Sequence, residues 1–347
     1  MAVSVIVVVI GFLDIHTLPT TITTTAFAEA VIFAAEKVSM KLTALAGGVG
    51  AAKLLSGLVK VFPPENLTII SNTGDDFRWM GLYISPDLDT VLYTLAGIAN
   101  PAAGWGVRDD TFNALEVLAK LGCETWFHLG DRDLATHLFR TYRMECGETH
   151  TAITLDLCRQ NGVSARLLPM TDSYVPTLMH TNEGTLGFQD YFVRRHCSPQ
   201  VRGVSYQGID ASRPAPGVID AIRLADAIVL CPSNPYISIG PILAVPGIRT
   251  ALHETRAQVL AVTPIVAGEA LKGPAAVMMR QLGEEASAAG VARRYKDFLD
   301  IFVIDRQDDE LQGRIESLGM KVRIEQTVMD SMEDRTALAR RLVEMLS

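Results

Sequence analysis

Short apolar runs alternate with segments of helical periodicity over most of the chain from Lys41 onward. The first of these segments are a strand at Leu42–Ala46, a helix at residues 51–61 and a second strand at Leu67–Ser71. Such alternation is typical of a parallel sheet, because parallel strands need a crossover connection that is usually a helix. We therefore predict an α/β fold, a Rossmann-like parallel sheet with helices on both faces.

The same alternation returns in the second half of the chain, after a segment of different character. We predict later strands at residues 227–231, 259–263, 298–304 and 321–324. Helices are predicted at residues 87–97, 111–121, 134–142, 335–346 and 151–161, the last of these capped by Thr151. Between about residues 164 and 218 the chain favours turns and short strands, at residues 166–170, 174–181 and 188–194. We interpret this segment as a smaller subdomain inserted in one domain that covers residues 40–347.

Residues 1–39 differ from the rest of the chain. Residues 3–13 are almost entirely apolar, but a run of that length is far below the roughly 20 residues that span a bilayer. A secretory signal is an alternative interpretation, although no Lys or Arg precedes the apolar run as such signals require. Because the fold signal begins directly after Met40, we expect residues 1–39 to be a poorly ordered extension or to precede the native start.

Net charge and cysteine content argue against several classes of function. The chain has 39 acidic and 31 basic side chains, a net charge of −8, whereas nucleic-acid binding relies on Lys and Arg that neutralise phosphates. Its five cysteines include no CxxC pair, so neither a disulfide framework nor a zinc site is indicated. We expect a cytoplasmic protein that binds small molecules, without nucleic acid or membrane as a partner.

A glycine-rich loop follows the first predicted strand and leads into a helix. Gly47, Gly48 and Gly50 would let backbone N–H groups approach a phosphate, and Lys53 lies in the first turn of the helix. The spacing matches neither GxGxxG nor GxxxxGK[ST], so a nicotinamide fingerprint and a P-loop are both excluded. A tight strand-to-helix turn without any ligand is the alternative interpretation.

Four aspartates follow the second predicted strand within a short distance: Asp75, Asp76, Asp87 and Asp89. Carboxylates concentrated where a strand ends usually bind a cation or a polar ligand, and these two clusters can converge on one Mg2+. A solvated loop is the alternative for the whole segment. Asp87 is also the best candidate to cap the helix that begins near Leu88.

Two further loops follow later strands of the same predicted sheet. Ser233 and Asn234 come directly after the strand at residues 227–231, and Gly240 lies a few residues beyond. Another loop follows the strand at residues 259–263. Because ligands bind at the carboxyl ends of strands in open α/β sheets, these loops imply one crevice, with Ser233, Asn234 and Gly240 as candidate nucleotide-binding residues.

These motifs, taken together and in order, resemble those of the CofD-like family. The resemblance covers the chain from about Met40 to its C-terminus. It rests on the glycine loop and on residues 72–76 (NTGDD), 85–90 (SPDLDT), 129–133 (LGDRD), 168–172 (LPMTD), 188–192 (FQDYF), 232–235 (PSNP), 238–241 (SIGP) and 272–274 (KGP). The family's loop often reads Gly-Gly-Thr-Gly-Thr-Pro-Lys, whereas Val49, Ala51 and Ala52 here lack both hydroxyls and the proline. This version is more similar to the bacterial phosphoenolpyruvate transferase branch.

The resemblance implies a Mg2+-dependent transferase of coenzyme F(420) biosynthesis. Such an enzyme moves a phosphorylated three-carbon acid, 2-phospho-L-lactate or phosphoenolpyruvate, from a GDP-linked donor to a ribityl hydroxyl and releases GMP. The acceptor is Fo, the 7,8-didemethyl-8-hydroxy-5-deazariboflavin chromophore. Family positions that contact Fo correspond here to Asp89 and His128, and the second of them varies in the family. Because members are often dimers, we expect a homodimer.

A single hypothesis combines the residues with the resemblance. Mg2+ held by Asp75 and Asp89, with Asp76 as a candidate third ligand, neutralises the donor's diphosphate. The glycine loop and the loop after residue 231 bind the guanylate half. Asp89 also orients or deprotonates the ribityl hydroxyl, so Asp75 and Asp89 are the predicted catalytic residues.

Two other functions are consistent with parts of the sequence. Non-catalytic nucleotide-sugar-binding regulators of the gluconeogenesis-factor type resemble this family and share its glycine loop. As a rule they lack the combination of Pro-Asp-x-Asp and Gly-Asp-Arg-Asp motifs that is present here. A nicotinamide-dependent oxidoreductase would share the general fold, but its fingerprint is missing. Binding of a UDP-sugar without binding of Fo would favour the first, and a fluorescence change of NADH the second.

Overall fold

The computed structural model of the protein describes residues 40–346, so the expectations for residues 1–39 lie outside the described residues. The strands are β1 (Leu42–Ala46), β2 (Leu67–Ser71), β3 (Phe77–Trp79), β4 (Leu82–Ile84), β5 (Arg166–Pro169), β6 (Thr177–Thr181), β7 (Gly184–Gly187), β8 (Val201–Tyr206), β9 (Ala227–Leu230), β10 (Gln258–Val262), β11 (Ile265–Val266), β12 (Glu269–Ala270), β13 (Ile301–Asp305) and β14 (Lys321–Glu325).

The helices cover most of the remaining described chain. They are α1 (Gly48–Val61), α2 (Pro86–Leu95), α3 (Asn113–Lys120), α4 (Asp131–Glu145), α5 (His150–Gln160), α6 (Val218–Arg223), α7 (Ile239–Ala244), α8 (Ile248–Glu254), α9 (Ala275–Gln281), α10 (Ala288–Tyr295), α11 (Gln312–Glu316) and α12 (Met332–Leu346). Short 3-10 helices occur at Pro64–Asn66, Ile209–Ala211 and Arg306–Leu311, and a π-helix at Asp190–Arg194. None of these helices combines the length and the hydropathy needed to cross a bilayer.

Seven strands form one parallel sheet in the order β5-β2-β1-β9-β10-β13-β14. β1 lies in its interior, where Ala44 pairs with Ile69 of β2 on one side and with Val229 of β9 on the other. The chain builds outward from β1 to β5 and then returns to add β9 and the later strands, so the strand order reverses between β1 and β9. This is the doubly wound topology of Rossmann-like proteins, and it confirms the predicted fold class.

The sheet is buried on both faces. All five residues of β1 are buried, and they alternate between two hydrophobic cores, with Leu45 in one core and Leu42 and Ala44 in the other. Parallel strands covered on both faces are continuous apolar runs in sequence, which is why β1 and β2 were predicted with their observed bounds. On one face α1 packs closely against α12, because Gly57 leaves room for the backbone of Arg335.

The segment between β5 and β9 differs from its predicted structure. β5 is an edge strand of the main sheet, where it pairs with β2, and only β6, β7 and β8 form a separate antiparallel sheet. The strand predicted at residues 188–194 is wrong, because Asp190–Arg194 form a π-helix. Phe188 and Phe192, which are four residues apart, stack with ring centroids 5.4 Å apart, a contact that requires a helical backbone.

One predicted helix cap is also wrong. The N-cap of α5 is Thr149, whose Oγ1 accepts a hydrogen bond from the backbone N–H of Ala152 at 3.2 Å. Thr151, the predicted cap, lies inside the first turn, and its hydroxyl donates to Asp172 at 2.8 Å. Two threonines two residues apart are equally good caps by residue type, so the sequence alone does not separate them.

Candidate active site

A crevice of about 690 Å³ opens at the carboxyl ends of the parallel strands. Its walls include Gly48 after β1, Asp75 after β2, Asn234 after β9 and Pro264 after β10. The loops after β1 and β9 meet at the point where the strand order reverses. Ligands of doubly wound sheets usually bind at this point, so the crevice is the candidate active site.

The glycines after β1 allow the loops after β1 and β9 to touch. A Cβ atom at Gly47 would lie 2.5 Å from Ser238 Cβ, and one at Gly50 would overlap the carbonyl oxygen of Pro232. Ser233 closes the same contact, since its Oγ donates a hydrogen bond to the Gly47 carbonyl oxygen at 2.6 Å. Packing between the loops therefore requires these glycines.

Asp75 and Asp87 form a pair of carboxylates on the crevice wall. The backbone N–H of Asp87 donates to Asp75 Oδ2 at 3.1 Å. Asn72, which is fully buried, bridges the pair, because its Nδ2 lies 2.8 Å from Asp87 Oδ2 and 3.3 Å from Asp75 Oδ1. From the β9 side, Ser238 Oγ donates to Asp87 Oδ2 at 3.3 Å.

Both carboxylates of this pair are weaker acids than a free aspartate. Burial, followed by the charges of Asp87 and Asp76, raises the pKa of Asp75 well above its usual value. Burial also raises the pKa of Asp87 to about 6, although hydrogen bonds from Asn72 and Ser238 oppose the rise. Raised pKa values of neighbouring acids in a crevice indicate negative charge that a ligand can balance.

Asp87 does not cap the helix that follows, contrary to the interpretation from sequence. α2 begins at Pro86 after the N-cap residue Ser85, so Asp87 lies within the first turn. Proline suits the first helical position because its φ is already helical and it needs no partner for an N–H. The side chain of Asp87 is therefore part of the crevice wall, where it pairs with Asp75.

Asp89 lines the crevice two residues further along α2 and is paired with a buried arginine. Arg140 donates from both terminal nitrogens to the two carboxylate oxygens of Asp89, with Nη1 2.9 Å from Oδ2. Burial by itself would lower the pKa of Arg140, but the Asp89 carboxylate raises it above its usual value. Asp89 thus has a counter-charge within the protein.

Asp76 lies in a buried polar cluster and does not line the crevice. Its Oδ2 accepts a hydrogen bond from Ser85 Oγ at 2.9 Å, and His150 Nδ1 is 3.8 Å away. Burial raises the pKa of Asp76 well above its usual value, although the nearby charge of Arg140 opposes the rise. Asp76, a predicted Mg2+ ligand together with Asp75 and Asp89, therefore lies outside the crevice lining that contains the other two.

The pair Asp75 and Asp87 fits a divalent cation that is shared with a ligand. Among residues 40–346, no group of three or more His, Cys, Asp or Glu side chains is arranged to hold a metal ion. Mg2+, however, commonly takes one or two carboxylates from the protein and its other ligands from substrate phosphates and water. Arg140 already balances the charge of Asp89, so Asp75 and Asp87 are the crevice carboxylates left to meet a cation, and the set of Mg2+ ligands stays a prediction.

Two lysines bring positive charge to the crevice near the glycine loop. Lys53 Nζ donates to the carbonyl oxygen of Met329 at 2.9 Å, and Lys272 Nζ donates to that of Ala103 at 3.5 Å. Burial, followed by the charges of Arg335 and Lys272, lowers the pKa of Lys53. An anionic ligand would balance these charges, so the two lysines suit a phosphate group.

Two of the predicted nucleotide-binding residues after β9 shape their own loop. Asn234 Oδ1 accepts hydrogen bonds from the backbone N–H groups of Tyr236 and Ile237, at 2.9 and 3.3 Å. A Cβ atom at Gly240 would lie 2.7 Å from the carbonyl oxygen of Pro235, and Gly240 does not line the crevice. Asn234 does line it, so only the first of the two is placed to contact a ligand.

Aromatic side chains also line the crevice. Trp126 and Phe127 pack edge to face with ring centroids 5.9 Å apart, and Phe188 stacks on Phe192. Trp105 belongs to the same lining and is 45% exposed. Exposed faces of aromatic rings inside a crevice suit a planar, apolar ring system.

The structure brings most of the predicted site residues together. The predicted residues that line the crevice are Gly47, Gly48, Gly50, Lys53, Asp75, Asp89, His128, Ser233 and Asn234. His128 is exposed, and its ring packs against Phe112 with centroids 6.0 Å apart. Asp76 and Gly240 lie outside the lining. The roles given to all these residues stay predictions.

Several residues that build the site were not among the predicted site residues: Asn72, Arg140, Lys272 and the aromatic lining. Asp87 was grouped with the other aspartates as a candidate cation ligand, and it was also the favoured helix cap. A signal for Arg140 was present, because Asp133, His137 and Arg140 share one face of a helix at spacings of four and three residues. Nothing in the sequence placed that face against Asp89. The aromatic residues come from separate segments of the chain and meet only in the folded protein.

These features define a class: a Rossmann-like α/β protein whose switch-point crevice combines a glycine loop, paired carboxylates and aromatic walls. The family model described as 2-phospho-L-lactate transferase CofD matches residues 42–343. The chain belongs to the CofD family, which confirms the resemblance found in the sequence.

Relatives with similar sequences are named as transferases. The phosphoenolpyruvate transferase of Streptomyces griseus is 41% identical over 314 residues, which cover 88% of this chain and 98% of the relative. The 2-phospho-L-lactate transferase of Methanothermobacter thermautotrophicus is 42% identical over 302 residues, which cover 87% of this chain and 97% of the relative. These names support transferase activity.

Among solved structures, a member of the UPF0052 family from Bacillus halodurans has the same fold. It aligns with a TM-score of 0.61 at 16% identity, over 88% of this chain and 98% of that protein. At this level of identity the similarity shows the fold alone. It therefore does not bear on the choice of ligand.

Proposed function

We propose that the protein transfers a phosphorylated three-carbon acid from a GDP-linked donor to the ribityl hydroxyl of Fo and releases GMP, in coenzyme F(420) biosynthesis. The observation that carries this proposal is one crevice in which paired carboxylates and lysines adjoin aromatic side chains. Relatives at 41% and 42% identity are named for phosphoenolpyruvate and for 2-phospho-L-lactate. Both acids therefore remain in the proposal.

The donor would bind along the glycine loop. Lys53 and Lys272 supply positive charge to its diphosphate, and the loop with Ser233 and Asn234 contacts the guanylate half. Binding of this kind is local, since the whole chain has a net charge of −8 and repels anions at long range. The same charge supports small-molecule partners rather than nucleic acid. A homodimer and a cytoplasmic location stay predictions.

Asp75 and Asp87 would hold the Mg2+ of this reaction. When bound, Mg2+ neutralises charge on the diphosphate and on the leaving GMP. Asn72 fixes the two carboxylates relative to each other through its hydrogen bonds to both. Transfer of a phosphoryl-type group depends on positioning and electrostatics more than on covalent assistance, so an ordered acidic pair matches the chemistry.

Asp89 would orient the acceptor. Arg140 uses one lone pair on each oxygen of this carboxylate, and the remaining lone pairs can accept a hydrogen bond from the ribityl hydroxyl. The hydroxyl oxygen bonds to the phosphorus that carries the three-carbon acid, while the bond from that phosphorus to the oxygen of GMP breaks. The hydroxyl proton passes to a carboxylate or to water.

The test is product analysis with the purified full chain. The protein is incubated with Fo, Mg2+ and either GDP-linked phospholactate or GDP-linked phosphoenolpyruvate, and the products are identified by mass spectrometry. We expect equal amounts of GMP and of an Fo adduct heavier by the phosphorylated acid. Absence of an adduct with both donors would overturn the proposal.

A matched pair of variants tests whether the crevice is responsible for this reaction. Asp75→Asn should abolish most of the product. Asp156→Asn should not, because Asp156 pairs with Arg143 and Arg159 outside the crevice. Equal loss in both variants would argue against the crevice as the active site.

A further inference from the structure

Arg140 is the most unusual buried residue near the crevice. It is the largest fully buried side chain of the described residues, and its Nε has no hydrogen-bond partner. Burying an arginine with an unpaired N–H costs stability that its ion pair offsets only in part. Its partner, Asp89, lies on the crevice wall. The destabilising burial of Arg140 therefore occurs beside a carboxylate that can meet a ligand.

A hydrogen-bond network continues from Arg140 through the neighbouring histidine. His137 Nδ1 lies 3.1 Å from Arg140 Nη1, and His137 Nε2 lies 3.1 Å from Asp133 Oδ1. Because Arg140 only donates, Nδ1 accepts and Nε2–H donates to Asp133. Tyr93 completes the network, since its hydroxyl donates to the same oxygen of Asp133 at 2.7 Å.

The network connects two helices around Asp89. Asp89 and Tyr93 lie four residues apart on α2, and Asp133, His137 and Arg140 lie on one face of α4. Burial raises the pKa of Asp133, but its hydrogen bonds with His137 and Tyr93 and the charge of Arg140 outweigh burial and lower it. Arg140 therefore holds both oxygens of the Asp89 carboxylate. His137 in turn fixes the guanidinium group of Arg140.

We propose that Arg140 and His137 are positioning residues for the acceptor, which hold the Asp89 carboxylate in one orientation with its free lone pairs available to the ribityl hydroxyl. This inference rests on the proposed function and deepens it. It divides the acidic residues into two groups with different tasks. Asp75 and Asp87 act on the donor side. Asp89 acts on the acceptor side, where hydrogen bonds between α2 and α4 fix its carboxylate.

The test compares two arginines on the same helix. Arg140→Lys keeps the positive charge but removes the planar fork that binds both oxygens of Asp89. We expect kcat/KM for Fo to fall about tenfold to a hundredfold, since loss of a residue that orients a functional group has effects of that size and a misplacement of about 1 Å can cost about a hundredfold. The KM for the GDP-linked donor should stay near its wild-type value. A variant with a damaged fold would instead show a lower kcat/KM for Fo and a changed KM for the GDP-linked donor at the same time.

Arg143→Lys is the control. Arg143 lies one turn further along α4 and also binds carboxylates, those of Glu148 and Asp156, but none of these residues lines the crevice. Its replacement should leave kinetics for both substrates near wild type. Tyr93→Phe removes a single hydroxyl from the network and should lower kcat/KM for Fo by a smaller factor than Arg140→Lys does. This second variant tests the proposal if Arg140→Lys does not fold.

A double-mutant cycle decides whether Arg140 acts through Asp89. In an Asp89→Asn background, Arg140→Lys should cause little further loss, because interacting residues are strongly non-additive. Full additivity, or equal kinetics of Arg140→Lys and Arg143→Lys, would overturn the positioning role. A wild-type protein that forms no Fo adduct would instead overturn the proposed function, so the two failures are distinguishable.

Discussion

At the scale of single residues, the crevice contains two kinds of carboxylate. Asp75 and Asp87 receive hydrogen bonds from amide and hydroxyl groups, which carry no positive charge. Asp89 instead receives a guanidinium fork from Arg140. A charge without a counter-ion attracts a cation, whereas a neutralised carboxylate still accepts a hydrogen bond. The chemical difference between these neighbours follows from their partners, since their residue type is the same.

This difference predicts contrasting results for three aspartates. Asp75→Asn and Asp87→Asn each remove one charge from the acidic pair, so turnover should fall at least about a hundredfold and more Mg2+ should be needed for the half-maximal rate. Asp76→Asn should retain most of the activity, because Asp76 lies outside the crevice lining, where its carboxylate accepts a hydrogen bond from Ser85. Rates of GMP release across a Mg2+ titration measure both effects. If Asp76→Asn behaves like Asp75→Asn, the assignment of the pair is wrong.

At the scale of secondary-structure elements, the site depends on how closely two loops approach. The loop after β1 contacts the loop after β9 at Gly47 and Gly50, and the hydroxyl of Ser233 bonds across the contact. The first turn of α2 meets the same place, where Ser238 donates to Asp87. The crevice is thus formed by three elements whose separation leaves no room for an additional side chain at these glycines.

Gly50→Ala tests this packing. The added Cβ would overlap the Pro232 carbonyl oxygen, a backbone atom, so the free energy of unfolding should fall by about 1–3 kcal/mol. Gly313→Ala is the control, because a Cβ at that position of α11 meets no atom within 4 Å. Alanine at this position in the first turn of α11 should raise stability by up to about 1 kcal/mol. Urea denaturation of the two variants should therefore show opposite shifts, and two shifts of the same sign would refute this account.

The success of sequence reasoning also varies by element. β1 and β2 were predicted with their observed bounds because fully buried parallel strands are uninterrupted apolar runs. The π-helix at Asp190–Arg194 was missed, because its aromatic residues Tyr191 and Phe192 also suit a strand. The sequence left two roles open for Asp87, cation ligand and helix cap, and could not choose between them, since its distance from Asp75 depends on the docking of α2. The partner of Asp89 lies on another helix, and sequence spacing within α4 does not reveal what that helix contacts.

At the scale of the whole molecule, the crevice joins the two halves of the sheet. Gly48 and Asp75 follow strands on one side of the reversal in strand order, and Asn234 and Pro264 follow strands on the other. A ligand that contacts both sides binds the folded chain and finds no equivalent site in the unfolded chain. Binding should therefore stabilise the entire domain, and not only the loops that it touches.

Ligand-induced stabilisation gives a test that does not depend on turnover. GDP with Mg2+ should raise the free energy of unfolding by about 2.7 kcal/mol when the nucleotide is at 100 times its Kd, which raises the Tm of the chain by several degrees. Chelation of Mg2+ should remove a large part of the shift, and Asp75→Asn should show the smaller shift with or without chelator. Asp156→Asn should respond like the wild type. A shift that is independent of Mg2+ in every variant would mean that the nucleotide binds without the acidic pair, and Asp75 and Asp87 would then need another role.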